Sequence, residues 1–203
     1  MIPGLTVITP PSFEPVTLTQ MRRQLRLDDD ITVENDDISD AIASARSWVE
    51  MYTGLTLCET VLEASFYGYP GYYIDLPHPP IISVASFKYT TADGTDTTLA
   101  TDQYTVDTSV AYMPRIVPAY GVTWPGTRWQ TSSLRVRYTA GYARAGSPDE
   151  RSLIPAPLRS AVKLVAAHLF ANRAATTENL RIEELPLGVK WLCSPYRVEG
   201  LGG

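Results

Sequence analysis

The side chains able to do chemistry are few in this 203-residue chain: His78 and His168, Cys58 and Cys193, and the acidic run DDDITVENDD from Asp28 to Asp37. A zinc site needs three or four Cys, His or carboxylate ligands brought together. His78 sits in LPHPP and His168 in a stretch of helical spacing, neither beside a cysteine or a spaced pair of carboxylates. Two cysteines make neither a disulfide framework nor a metal motif. They read as reduced, partly buried thiols of a chain that folds in a cytosol. The acidic run is rich enough in oxygen for Ca²⁺, but the EF-hand order with its glycine and terminal glutamate is absent. It reads as a solvated loop feeding a helix. No nucleophile elbow, P-loop or G-x-G-x-x-G occurs. The expectation is no catalysis, no metal and no cofactor.

The bulk properties point toward association. Hydrophobic residues make up 44% and charged residues 19%, the balance of an ordinary globular protein. No apolar run approaches the ~18 residues that would cross a bilayer, and the N-terminus lacks a secretory pattern. No membrane partner is expected. A net charge of −5 argues against a dedicated nucleic-acid binder. Three of the 17 basic residues are lysines, so 17 − 3 = 14 are arginines, and 12 tyrosines accompany them. Arg and Tyr are the residues of protein–protein contacts, where Lys is depleted. A GC-rich gene produces the same arginine bias, so both explanations stand.

The elements that would position these residues can be read from periodicity. VTLTQMRRQLRL predicts a short helix with a Thr17–Gln20 capping box and Leu18, Met21 and Leu25 on one face. DDISDAIASARSWVEMYTG predicts a second. Its acidic first turn suits the helix dipole, Ile38, Ala41, Ile42, Ala45, Trp48, Val49 and Tyr52 form its buried stripe, and Gly54 stops it. From about Leu57 to Tyr142 the period becomes 2, with candidate strands in TVLEASFYG, YYIDL, VASFKYT, TTLA, QYTVD, RIVP and LRVRYTAGY. Asp93-Gly94 marks a hairpin turn. The prolines of LPHPPI mark an edge or crossing. Helical spacing returns in PAPLRSAVKLVAAHLFANRAA, with Pro157 in the first turn and Leu158, Ala161, Val162, Val165, Leu169 and, less squarely, His168 along one side.

The predicted fold class is α+β. A helical body takes two N-terminal helices (16–56) and a long C-terminal helix (153–176). A β-rich insertion (57–142), a small barrel or sandwich, separates them, and an extended C-terminal tail (185–203) follows. That tail, LPLGVKWLCSPYRV, is unusual: chain ends are normally polar, and this one is apolar, aromatic and mildly basic. Either it docks on another protein or it folds back as core of its own subunit.

In order along the chain, ARSWVEMYTGLTLCETV, LPHPPIISVASFKYTTADG, QYTVD, WPGTR, LRVRYTAGY, IPAPLRSAVKLVAAHLFANR and LPLGVKWLCSPYR resemble segments of the head–tail connector (adaptor) proteins of tailed phages. The likeness is to the HK97 gp6-like family, and more closely to the longer gp8-like connectors, in which a β-rich insertion separates the helices. It runs from about Val16 to Arg197 and rests on the ordered set, since no segment is catalytic.

The resemblance implies a ring of copies, usually twelve, beneath the portal of a phage or of a gene transfer agent. The ring extends the DNA channel, without specific DNA binding, and offers a platform to a stopper or tail-completion protein. The location implied is the head–tail junction of the virion, with assembly in the host cytoplasm. It further implies a C-terminal segment that grips the portal protein, carried here by Leu185, Leu187, Lys190, Trp191, Leu192, Tyr196, Arg197 and Val198. Contacts between copies are expected where Arg22, Arg23 and Arg26 of one subunit meet Asp36 and Asp37 of the next. The Asp93-Gly94 hairpin and the Tyr69–Tyr73 loop are either further contact points or plain solvent-facing turns. The rival reading is a soluble β-domain that binds a small ligand or carbohydrate.

Overall fold

The computed structural model describes residues 4–27, 34–110, 112–144, 150–172 and 187–198. It is an α+β fold with two hydrophobic cores, one among helices and one between antiparallel sheets.

The helical core forms where the sequence places it. Helix α1 (Leu18–Leu25) opens on the expected capping box: the Gln20 N–H donates to Thr17 Oγ1 at 3.2 Å, and the Thr17 N–H donates to Gln20 Oε1 at 3.2 Å. Helix α2 (Asn35–Thr53) ends at Gly54, whose φ of 73° lets its N–H reach the Glu50 carbonyl at 2.8 Å. Helix α3 (Ala156–Ala171) packs along α2 through Leu158, Ala161, Val162, Val165 and Ala166. Leu169 was expected on that side and is exposed. The inward face advances in steps of four, from Leu158 through Val162 and Ala166 to Phe170, which packs against the core instead.

The middle of the chain supplies β2 (Thr60–Phe66), β3 (Ile74–Asp75), β4 (Ile81–Thr90), β5 (Asp96–Thr98), β6 (Tyr104–Asp107), β7 (Arg115–Pro118) and β8 (Leu134–Ala140). Each predicted strand is present. One more, β1 (Gly4–Thr9), comes from the N-terminus and was not anticipated. It pairs antiparallel with β2 and completes a five-stranded sheet in the order β1-β2-β8-β4-β5; the second sheet runs β3-β7-β6. In β2 and β8 every second residue is buried, and Leu62, Ala64, Phe66, Leu134, Val136 and Tyr138 meet Ile74, Ile116 and Tyr104 from the other sheet. Both sheets keep free edges and share one core, so of the two predicted forms the arrangement is a small sandwich rather than a closed barrel.

A part-buried ionic cluster ties the N-terminal segment to the helices. Arg46 Nε donates to Glu14 Oε2 and its NH1 to Glu50 Oε2, each at 2.8 Å. Glu50 Oε1 accepts the Leu57 N–H at 2.8 Å, and Arg151 Nε donates to the Glu14 carbonyl at 2.7 Å. Burial pushes the Glu50 carboxyl up, against the pull of Arg46 and the Leu57 N–H. Burial opposes the Arg46 charge too, but Glu50 and Glu14 outweigh it and hold the guanidinium above its ordinary value.

The chain leaves the helical core at Leu57–Glu59 and returns beside it at Gly141–Ala143. Tyr142 N–H donates to the Leu57 carbonyl (3.1 Å) and Glu59 N–H to the Ala143 carbonyl (2.8 Å). Gly141 has φ 136°, and a Cβ there would sit 2.6 Å from the Cys58 carbonyl carbon. Gly141→Ala is therefore expected to cost about 1–3 kcal/mol from backbone conformation alone, read as a lower denaturation midpoint with an unchanged m-value.

The expected extended tail is corrected in its described part. Residues 187–193 form helix α4 and 194–196 a turn of 3₁₀ helix, both against the body. Val189 and Cys193, four apart, fall on one helical face and are fully buried in the core with Val198.

Candidate docking surface

The C-terminal segment is positioned by the end of α2. Thr53 Oγ1 donates to the Val49 carbonyl at 2.7 Å, and the Thr53 carbonyl accepts the Val198 N–H at 2.8 Å. Trp48 and Tyr52 stack at 5.2 Å with their planes 9° apart, and the Arg197 guanidinium lies 5.7 Å from the Tyr52 ring centroid. Leu192 and Tyr196 are half-buried against the same core. Since Val189 and Cys193 face inward, Trp191 must face outward, and it is 79% exposed. Lys190, its neighbour in sequence, and Arg197, six residues on, are exposed as well. Of the eight residues expected to grip a partner, Lys190, Trp191 and Arg197 are thus presented outward, while Leu192, Tyr196 and Val198 hold the segment to its own subunit. Leu187 opens α4, and Leu185 lies outside the described residues.

A second apolar group comes from α2 itself. Met51 is exposed although it lies between the buried Val49 and Thr53. Sequence reading passed over it; its only signal was a large apolar residue off the buried stripe.

The five residues expected between copies divide as well. Arg22 is buried, and its NH1 donates to Asn35 Oδ1 at 2.7 Å, so it joins α1 to the start of α2 within one subunit. Arg23, Arg26, Asp36 and Asp37 are exposed.

The loops at one end of the sandwich carry aromatics. Tyr69 stacks on Trp124 at 5.1 Å, Trp124 Nε1 donates to the Tyr72 carbonyl at 2.9 Å, and Tyr67 meets Trp129 at 5.8 Å. Arg115 lies 4.4 Å over the Tyr73 ring. Tyr72, Tyr120 and Trp129 are well exposed, and the Asp93-Gly94 turn is closed by bonds from Thr95 to Thr91 and Asp93.

Among the described residues no group of three His, Cys, Asp or Glu could hold a metal, and no helix is long and apolar enough to cross a membrane. Burial raises the Cys58 thiol well above its ordinary value and Cys193 to about 11, so both stay protonated. Burial lowers His78, whose carbonyl accepts from Thr56 Oγ1 at 3.1 Å. Among the described residues, a cleft of about 270 Å³ is lined by Pro80, Ile81, Thr108, Tyr112, Pro114 and Tyr142, none of them charged.

No family model and no curated protein matches the sequence. Solved structures do match. A chain from the neck of an empty GTA particle computed with C6 symmetry superposes with a TM-score of 0.75 at 22% identity, over 98% of both chains. A chain from the virion of a native gene transfer agent particle gives 0.76 and 24%, over 98% of both. A chain from the neck of a native GTA particle computed with C12 symmetry gives 0.69 and 23%, over 100% of this chain and 99% of that one. The fold is that of these particle chains. The likeness takes in the sandwich, the helical core and the C-terminal segment together, since it spans the whole chain.

Proposed function

We propose that this chain is a structural head–tail connector (adaptor) of a tailed phage or gene transfer agent. It forms a ring, twelvefold when docked, beneath the portal protein, extends the DNA channel and offers a platform to a stopper or tail-completion protein. The observation that carries the reading is a fold shared end to end with chains of particle necks, one of them computed with C12 symmetry. Such components play a structural rather than an enzymatic part, and their place is the virion, reached after assembly in the host cytoplasm. The net charge of −5 suits a channel through which DNA slides without specific binding.

In this reading the C-terminal segment, Leu185 and Leu187 through Val198, is the portal contact, made chiefly by the outward Trp191 with Lys190 and Arg197. Many copies facing a ring of matching sites multiply a modest single contact. Between copies, Arg23 and Arg26 face Asp36 and Asp37 of the neighbour, with Arg22 holding α1 in place. Charge reversal at Asp36 and Asp37 that leaves ring assembly unchanged at low and high salt removes that contact.

The deciding test is binding to the portal protein encoded beside this gene. Cutting the chain before residue 187 would remove Val189, Cys193 and Val198 from the core, so point variants are cleaner. Trp191→Ala is expected to weaken binding about 30-fold, the effect of a ~2 kcal/mol hot-spot loss, with the melting temperature unchanged. Wild-type binding by Trp191→Ala together with Lys190→Glu overturns the contact. The exposed rings of Tyr72, Tyr120 and Trp129 favour the rival, a β-domain binding a small ligand or carbohydrate. Saturable glycan binding with no affinity for the portal would establish it.

A further inference from the structure

Helix α3 lacks a strongly polar side. Of its 16 residues only Arg159 and Lys163 are charged, both of them cations. Leu158, Val162 and Val165 face the core, while Ala156, Ser160 and Leu164, four apart, and Ala171, seven further on, form a second face that is exposed. A helix with apolar residues all round is normally covered all round, yet Leu164 is 36% exposed. Arg159 and Lys163, also four apart, run along the margin of that outer face. Both are half-buried, and the Arg159 Nε is buried with no acceptor among the described residues.

Helix α2 has the opposite character. It buries Ile38, Ile42, Ala45 and Val49 and turns Asp36, Asp40, Ser44, Ser47 and Met51 outward, in steps of three and four along one face. Its only cation, Arg46, is taken up by Glu14 and Glu50. The charges left on the outer face are therefore acidic. Since α2 and α3 pack together through their buried sides, the acidic face and the cationic face lie on opposite sides of the helical layer. A cyclic ring is built from such a pair: two different patches on each copy, one complementary to the other. The fold is shared with chains of particle necks computed with C6 and C12 symmetry.

We propose that the outer face of α3 seats on the outer face of α2 of the next copy around the ring. Arg159 and Lys163 meet Asp36 and Asp40, and Leu164 rests over the shelf that Ser44 and Ser47 leave between the aspartates and Met51. Small residues on that shelf let the two helix axes approach to about 8–10 Å. The opposite charges decide which face meets which, and they disfavour α2 on α2 or α3 on α3. The ring rests on the connector reading; the two oppositely charged faces do not.

The test places a photocrosslinking residue, p-benzoylphenylalanine, at Leu164 and separately at Met51 in assembled particles. The expected adducts run at twice the mass of the chain, and peptide mapping joins position 164 to α2 and position 51 to α3. Adducts within one chain, with a different protein, or of α2 with α2 overturn the proposal, as does the absence of any adduct. If the chain is missing from purified particles, the connector reading falls. The same two variants in concentrated solution then decide whether the faces pair, and no adduct of double mass there overturns the proposal too. Independently, Lys163→Glu is expected to lower the yield of complete particles at least tenfold while the isolated protein melts unchanged. Adding Asp40→Lys to that chain is expected to restore the yield. Wild-type yield from Lys163→Glu alone, or no recovery in the double variant, also overturns it.

Discussion

Arg46→Ala is expected to lower the stability of the protein by about 3–5 kcal/mol, the cost of leaving a buried charge without its partner. Arg46 and Glu50 keep only 15% of their side-chain surface exposed, and Glu14, on the other side of Arg46, keeps 28%. Removing the guanidinium strands the Glu50 carboxylate beside the chain that leads into the sandwich. Its acceptor role toward Leu57 survives, but its charge has no counterpart.

The loss depends on pH with a definite sign. Glu50 already titrates above the ordinary carboxylate range because burial disfavours its charge. Between its unfolded and folded values it takes up a proton on folding, so its contribution falls as pH rises through that window. Without Arg46 the window widens upward, and the deficit of Arg46→Ala is expected to shrink on going from pH 8 to pH 5. Urea denaturation at the two pH values reads this directly; a pH-independent deficit would assign the loss to packing. Arg46→Met combined with Glu50→Gln is expected to recover part of the loss, since the more buried of the two carboxylates is gone and the amide oxygen can still accept from Leu57, while Glu14, 28% exposed, keeps a charge without its partner.

Phe87→Ala is the second large effect, about 3–5 kcal/mol. Phe87 is fully buried in the centre of β4 and touches three rings: Tyr104 edge-on at 5.7 Å, Trp124 at 5.7 Å and Tyr69 at 6.4 Å. It is the floor on which the Tyr69–Trp124 stack rests. The cavity left by alanine is expected to loosen the loops that carry Tyr67, Tyr72 and Trp129, seen as faster proteolysis there and altered tryptophan fluorescence. Phe87→Leu, which keeps most of the volume, should lose much less. If the alanine variant loses stability while the loops resist protease as before, the aromatic end is held by something other than this floor.

The local features of this fold were legible and the non-local ones were not. Thr17, Gln20 and Gly54 announce helix ends because caps are made by residues within one turn. The alternation in β2 and β8 shows because each strand is buried on one face only. GLTVIT escaped because six residues before Pro10-Pro11 carry little periodicity, and their partner, β2, is remote: Gly4 and Ser65 are 61 residues apart. The Glu14–Arg46–Glu50 cluster was invisible for the same reason, apart from its Arg46–Glu50 spacing of four. In the C-terminal segment composition announced burial correctly, but seven helical residues are too few to reveal which would turn inward. That decision makes Val189 and Cys193 core and leaves Trp191 outside.

The adjacency of Leu57–Glu59 and Gly141–Ala143 bears on how such a chain can change length. Exit and return are already bonded side by side, so the stretch between them behaves like one long closed loop. Lengthening it costs only the slow logarithmic increase in closure entropy. Hairpins such as the Asp93-Gly94 turn can grow or shrink without the helices registering the change. The N-terminal strand sets the limit on that freedom. By crossing from the helices to clip onto β2, β1 makes the sandwich depend on a second, separate part of the gene, so a wholesale exchange of residues 60–140 would have to preserve an edge that β1 can still recognise.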